Sequence, residues 1–121
     1  MPLKIIRNDI TKMSVDVIVN AANTALKMGG GVCGSIFSTA GAEKLQEECD
    51  RIGKCTVGEA VITSAYNLPA KYIIHAVGPI WQGSDSSQSH LLHNCYTNSL
   101  ALALDHKCKS IAFPQIGRAH V

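Results

Sequence analysis

Two amides, a glycine run and a thiol crowd one stretch of this chain. Residues 15–41 read VDVIVNAANTALKMGGGVCGSIFSTAG, with Asn20 and Asn23 three apart, then Gly29, Gly30 and Gly31, then Val32, Cys33 and Gly34. Three glycines let the backbone take positive φ and leave no Cβ between chain and ligand. The N–H groups that open a following helix carry partial positive charge and have no partner within the helix. Such a loop suits a phosphate or pyrophosphate. Amide side chains both donate and accept, which suits sugar hydroxyls. Together they point to a phosphorylated sugar or a nucleotide. A flexible strand-to-helix turn also uses glycines, and that reading stands beside the first. The dinucleotide G-x-G-x-x-G pattern is absent, and no Lys-Ser or Lys-Thr follows the glycines as a P-loop requires.

Other reactive side chains read as structural. Asp9 stands where a short helical turn can open and suits an N-cap. His75 lies inside the apolar run YIIHAV, where a satisfied core histidine is the simpler reading than a general base. Glu43 and Glu47 fall on the charged outer face of a helix rather than in a paired-carboxylate site. His93-x-Cys95 and the scattered His75, His90 and His106 lack zinc spacing, so no metal is expected. Nothing calls for a cofactor.

The elements that must hold the loop alternate. Strands are expected at 3–7, 15–19, 60–63, 72–77 and 110–114, from β-branched and apolar runs. Helices are expected from Gly34 to the glycine at 41, over 42–51 with Leu45 and Cys49 on one face, and over 90–106. The last carries an apolar stripe of Leu91, Leu92, Cys95, Tyr96, Ser99, Leu100, Ala103 and Leu104, with Ser87 or Ser89 as its cap. Residues 82–89 are polar and serine-rich, a surface loop. Strands alternating with helices predict an α/β chain with helices on both sides of a mixed sheet. A ligand then belongs beyond the carboxyl ends of the strands.

Charge and composition narrow the partners. The 121 residues fit one domain; 46% are hydrophobic and 17% charged, so a packed core rather than disorder is expected. Eleven Lys and Arg against nine Asp and Glu give a net charge of +2, too little to argue for nucleic acid or an anionic membrane. The opening MPLKIIRNDITK turns polar at once, so neither a signal peptide nor a membrane span is expected. Five cysteines, an odd number, read as free thiols in a reducing cytoplasm.

The stretch VDVIVNAAN, followed by GGGV and G-x-I-F-x-x-A-G, resembles the macro domain, a module that binds ADP-ribose. Asn8-Asp9-Ile10-Thr11 resembles the family's GDIT, with Asn8 for the glycine. TVGEA at 56–60 resembles TGEA, LPAKYIIHAVGP at 68–79 resembles LPAKYIIHTVGP, and SIAFP at 110–114 matches SIAFP. The resemblance runs from residue 3 to about 116. It is nearest the MacroD-type subgroup of O-acetyl-ADP-ribose deacetylases and mono-ADP-ribosyl hydrolases. It implies a three-layer α/β/α sandwich around a six- or seven-stranded sheet.

The resemblance also implies a site. Adenine would lie near Asp9 and Ile10, the pyrophosphate on the backbone of Gly30, Gly31, Val32, Cys33 and Gly34, and the distal ribose near Asn20 and Asn23. Asn23 and Cys33 are then the catalytic candidates of a hydrolase, with ADP-ribose or an ADP-ribosylated protein as partner. Cys33 stands where the subgroup usually has aspartate, and Phe37 where the family often has histidine. A thiol is a poor general base, so hydrolysis is expected to be slow. After AFP the family usually continues with a second phosphate loop resembling ISTGIYGYP, whereas this chain reads QIGRAHV. The expectation is therefore a C-terminally truncated, incomplete macro domain that binds more weakly and self-associates through exposed sheet surface.

Overall fold

The computed structural model describes residues 4–6, 9–79 and 86–114. Asn8, the first part of the polar loop at 82–85, and residues 115–121 lie outside the described residues. Among the described residues, five strands and three helices follow one another: β1 (Lys4–Ile6), a 3-10 turn (Ile10–Lys12), β2 (Val17–Ala21), α1 (Gly31–Ala40), α2 (Ala42–Ile52), β3 (Ala60–Ser64), β4 (Tyr72–Ala76), α3 (Ser86–Asp105) and β5 (Ser110–Ala112).

The sheet order is β1-β5-β2-β4-β3. All pairs are parallel except β3–β4, which is antiparallel. Alternation along the strands divides the core. Ile18 and Ile73 face Ile36 and Phe37 of α1 and Leu45 and Cys49 of α2. Val17, Val19, Ile74, Ala76 and Ile111 face Cys95 and Ala103 of α3. Helices thus cover both faces, which gives the three layers and the mixed sheet that strand-helix alternation predicts.

Asp16 gathers the amino ends of three strands. Its N–H donates to Ser110 Oγ (2.9 Å), its carbonyl accepts from Lys71 and Tyr72 (2.9 and 3.1 Å), and its carboxylate accepts from the Lys109 N–H (2.6 Å). Asp16 thus ties β2, β4 and β5 together at their amino ends.

Three boundaries differ from the expectation. β2 starts at Val17 and runs to Ala21, because parallel pairing of Asn20 with His75 and Ala21 with Ala76 draws both residues into the ladder. Asn20 is therefore a strand residue and not part of the turn after it. α1 begins at Gly31, three residues before Gly34, since the Gly34 N–H already bonds to the Gly30 carbonyl (3.2 Å) in the helical i to i−4 pattern. α3 begins at Ser86, so Ser87 and Ser89 lie within it and not ahead of its first residue. Its buried stripe is also narrower than expected. Cys95, Ser99 and Ala103 are fully buried at i, i+4 and i+8, while Leu104 is 62% exposed.

Candidate functional site

The loop between β2 and α1 is built on side chains that fix its backbone. Asn23 spans a turn: its Nδ2 donates to the Lys27 carbonyl and its Oδ1 accepts from the Lys27 N–H, both at 2.9 Å. The Leu26 N–H closes onto the Asn23 carbonyl (3.0 Å), and Leu26 sits at φ 57 with its side chain buried. From α2, Gln46 Oε1 accepts from the Met28 N–H while its Nε2 donates to the Leu26 carbonyl, both at 2.9 Å. Lys27 pairs with Asp50 at 2.7 Å, and the Asp50 carboxyl is held below its usual range by hydrogen bonds from Lys27 and Gln46. Asn23 is exposed and keeps one amide proton and one oxygen lone pair for a ligand.

The glycines do two different jobs. A Cβ on Gly34 would stand 2.5 Å from the Gly29 carbonyl oxygen, so the loop can return across the first turn of α1 only over a glycine. Gly31 has φ +57, a conformation L side chains rarely adopt. At Gly30 a Cβ would meet nothing within 4 Å. Gly30 is the N-cap of α1 and, among the described residues, no side chain caps it. The N–H groups of Gly31, Val32 and Cys33 precede the first intrahelical bond. They give the turn its capacity for an anion.

Asp9 caps the 3-10 turn, accepting from the Thr11 N–H (3.1 Å) and hydroxyl (2.9 Å), and these bonds hold its carboxyl below the usual carboxylate range. The carboxylate is exposed and lies 3.9 Å from Lys12 Nζ. Ile10 is buried in the core, and its turn packs against α1.

Asn20 and Cys33 face inward instead. Asn20 is fully buried; its Nδ2 lies 3.1 Å from His75 Nδ1 and 3.6 Å from Cys33 Sγ. Cys33 is 8% exposed and its thiol donates to the Lys27 carbonyl (3.8 Å). His75, also fully buried, meets Thr63 Oγ1 at Nε2 (2.9 Å), and burial pulls its pKa down to about 4. It is a satisfied neutral core histidine, as its apolar surroundings in sequence imply.

Gln46 and Thr63 were not readable as site residues. Gln46 sits among the charges of α2, and only the tertiary return of loop 23–30 gives it partners. Thr63 gains its role through the diagonal cross-strand position it holds relative to His75. Among the described residues no group of three His, Cys, Asp or Glu side chains is placed to hold a metal ion, and no helix is long and apolar enough to cross a membrane.

A parallel-centred sheet between helices, with a glycine turn leading from β2 into α1, defines a class of three-layer α/β modules. Within that class the family model for the macro domain matches residues 19–119, and the chain belongs to the macro domain family. A macro domain-containing protein of Chlorobaculum tepidum is 54% identical over 111 residues, covering 92% of this chain and 64% of that protein. The Oceanobacillus iheyensis macrodomain with ADP superposes with a TM-score of 0.86 at 44% identity, over 93% of this chain and 62% of that one. The Trypanosoma brucei macrodomain in complex with ADP-ribose gives a TM-score of 0.79 at 40% identity, over 90% of this chain and 44% of that one. The chain thus spans less than two thirds of the length of each of these relatives.

Proposed function

We propose that this chain binds ADP-ribose, free or attached to protein, at the turn formed by residues 23–34. The observation that carries the reading is the uncapped start of α1, with Gly30 open to solvent and Asn23 exposed beside it. The pyrophosphate takes the N–H groups of Gly31, Val32 and Cys33. The distal ribose lies at Asn23, and the adenine amine at the Asp9 carboxylate, which is ionised at neutral pH. Asn20 supports this site from within instead of touching the sugar. The five buried free thiols favour a reducing compartment such as the cytoplasm.

Calorimetric titration with ADP-ribose tests the proposal. Binding is expected to weaken about tenfold in Gly30→Ala, where a methyl group intrudes on the pyrophosphate but touches nothing in the protein, with the thermal midpoint unchanged. No heat at millimolar ADP-ribose, or equal affinity in Gly30→Ala, overturns it.

A second reading, hydrolysis of O-acetyl-ADP-ribose or of an ADP-ribosyl ester on protein, is favoured by the spare hydrogen-bonding capacity of exposed Asn23. Water would add at the ester carbonyl with Asn23 and the substrate's pyrophosphate placing it. The Cys33 thiol is engaged with the Lys27 carbonyl and is no general base. Release of acetate from O-acetyl-ADP-ribose, slow and lowered in Cys33→Ala by no more than that variant loses in ADP-ribose affinity, is the expected result. Its complete absence leaves binding alone.

A further inference from the structure

A buried polar chain runs from the sheet to the loop, and the ligand contacts above do not use it. Asn20 and His75 are register partners on β2 and β4, so their side chains leave the sheet on the same side. Thr63 stands diagonally on β3. All three are at most 2% exposed. A polar side chain so placed is stabilising only when each group is matched to its neighbour.

The chain has a direction. The hydroxyl of Thr63 has one proton, and it donates to the Ser64 carbonyl (3.1 Å). With that proton on the Ser64 carbonyl, His75 Nε2, 2.9 Å from the same oxygen, is assigned the ring proton, and Nδ1 is then the acceptor. The Asn20 amide then presents Nδ2 to His75. Its other amide proton meets Cys33 Sγ, which donates onward to the Lys27 carbonyl. Asn20 Oδ1 is left buried, without a partner among the described residues. The opposite amide orientation would give Oδ1 the Cys33 S–H, removing that proton from Lys27. The acceptor at His75 Nδ1 is what excludes it, because two acceptors would then face each other.

We propose that His75 is a positioning residue for the anion-binding turn: its Nδ1 fixes the Asn20 amide, and the amide holds Cys33, hence the first turn of α1, in register with loop 23–30. The proposal rests on the ADP-ribose reading for its binding consequence, but its structural part is independent of that reading. Cys33 is the third residue of α1, and Gly29 lies beside both Asn23 and the Cys33 side chain, so a displaced thiol moves both halves of the site.

The test uses variants that separate the two ring nitrogens. His75→Asn keeps an acceptor at the level of Nδ1. His75→Gln reaches toward Thr63 but offers nothing at Nδ1. Asn20→Leu keeps the volume and removes both amide bonds. Each is measured for ADP-ribose affinity, for thermal midpoint and for alkylation of Cys33 relative to Cys95 by peptide mapping. His75→Gln and Asn20→Leu are expected to bind about tenfold more weakly and to label Cys33 about tenfold faster, while His75→Asn stays within about threefold of the native chain on both.

Loss of affinity that follows the thermal midpoint equally in the Asn and Gln variants overturns the proposal. So does an unchanged Cys33 labelling rate in Asn20→Leu. If the native chain binds no ADP-ribose, the functional reading fails and the Cys33 rates alone decide the positioning role. If the core variants do not fold, Thr63→Val is isosteric and removes only the hydroxyl that sets the tautomer. It is expected to raise Cys33 labelling about threefold, and an unchanged rate overturns the proposal.

Discussion

The two faces of the sheet are equally dry and differently made. Toward α3, Val17, Val19, Ile74, Ala76 and Ile111 pack against Cys95 and Ala103, with Ser99 the buried polar side chain there. Toward α1 and α2, Ile18 and Ile73 alternate with Asn20, His75 and Thr63. The α3 face supplies area removed from water, which is tolerant of geometry. The α1 face carries a hydrogen-bonded order in which the orientation of each group constrains the next, and the glycine turn stands at its edge. Where a fold places polar groups in a core it needs more than stability from them.

The largest effect separating the faces is a cavity on the plain one. Ile74→Ala is expected to lower unfolding free energy by about 2–5 kcal/mol in urea titrations while leaving ADP-ribose affinity of the folded protein unchanged. A change in affinity as large as the change in stability would dissolve the distinction.

Acid acts on the other face. His75 ordinarily titrates near 6.5, and burial holds it at about 4 in the folded chain. The neutral form is the one that folds, so its contribution is complete above 6.5 and is lost as pH falls toward 4, by roughly 3 kcal/mol in all. The neighbours of the ring are Thr63, Asn20, the edge of Phe37 with centroids 6.2 Å apart, and the Cys49 thiol at 4.0 Å. Burial pushes that thiol up to about 11, so it stays uncharged across this window and offers the imidazolium no counterion. Denaturation midpoints at pH 7, 5.5 and 4.5 should fall steeply in the native chain and less in His75→Gln. Parallel curves for the two would remove His75 as the cause.

The smallest effect sharpens the contrast between the two unpartnered atoms. Ser99 Oγ, like Asn20 Oδ1, is buried without a partner among the described residues. Ser99→Ala removes an unsatisfied group from a plain face, and stability should be unchanged or higher by up to about 1 kcal/mol. A loss larger than that in thermal unfolding would mean the serine hydroxyl has a role on its own side.

The same contrast explains what could be read from sequence. β-branched and apolar runs located the strands and helical spacing located α2 and α3, since burial of Ile, Val and Leu is a local pattern, while the starts of β2, α1 and α3 were displaced. The resemblance and the glycine run placed the turn. Asn20 misleads because its neighbour in sequence, Asn23, is exposed. Only the pairing with β4 decides that Asn20 points into the core. Gln46, Thr63 and the return of the chain over Gly34 depend on approach between segments distant in sequence. No local composition encodes such an approach.

The Asp16 junction has a consequence for how the chain is made. β1 pairs with β5, Lys4 opposite Ser110, and Asp16 bonds to Ser110 and Lys109 across sequence separations of 94 and 93. During synthesis at about 5–20 residues per second, β1 leaves the ribosome and waits roughly 5–20 s for its neighbour to emerge. Only β3 and β4 can pair with a nearby segment as they appear. Among the described strands, the β1 edge is therefore the last part of the sheet to close, because its partner β5 emerges after every other described strand.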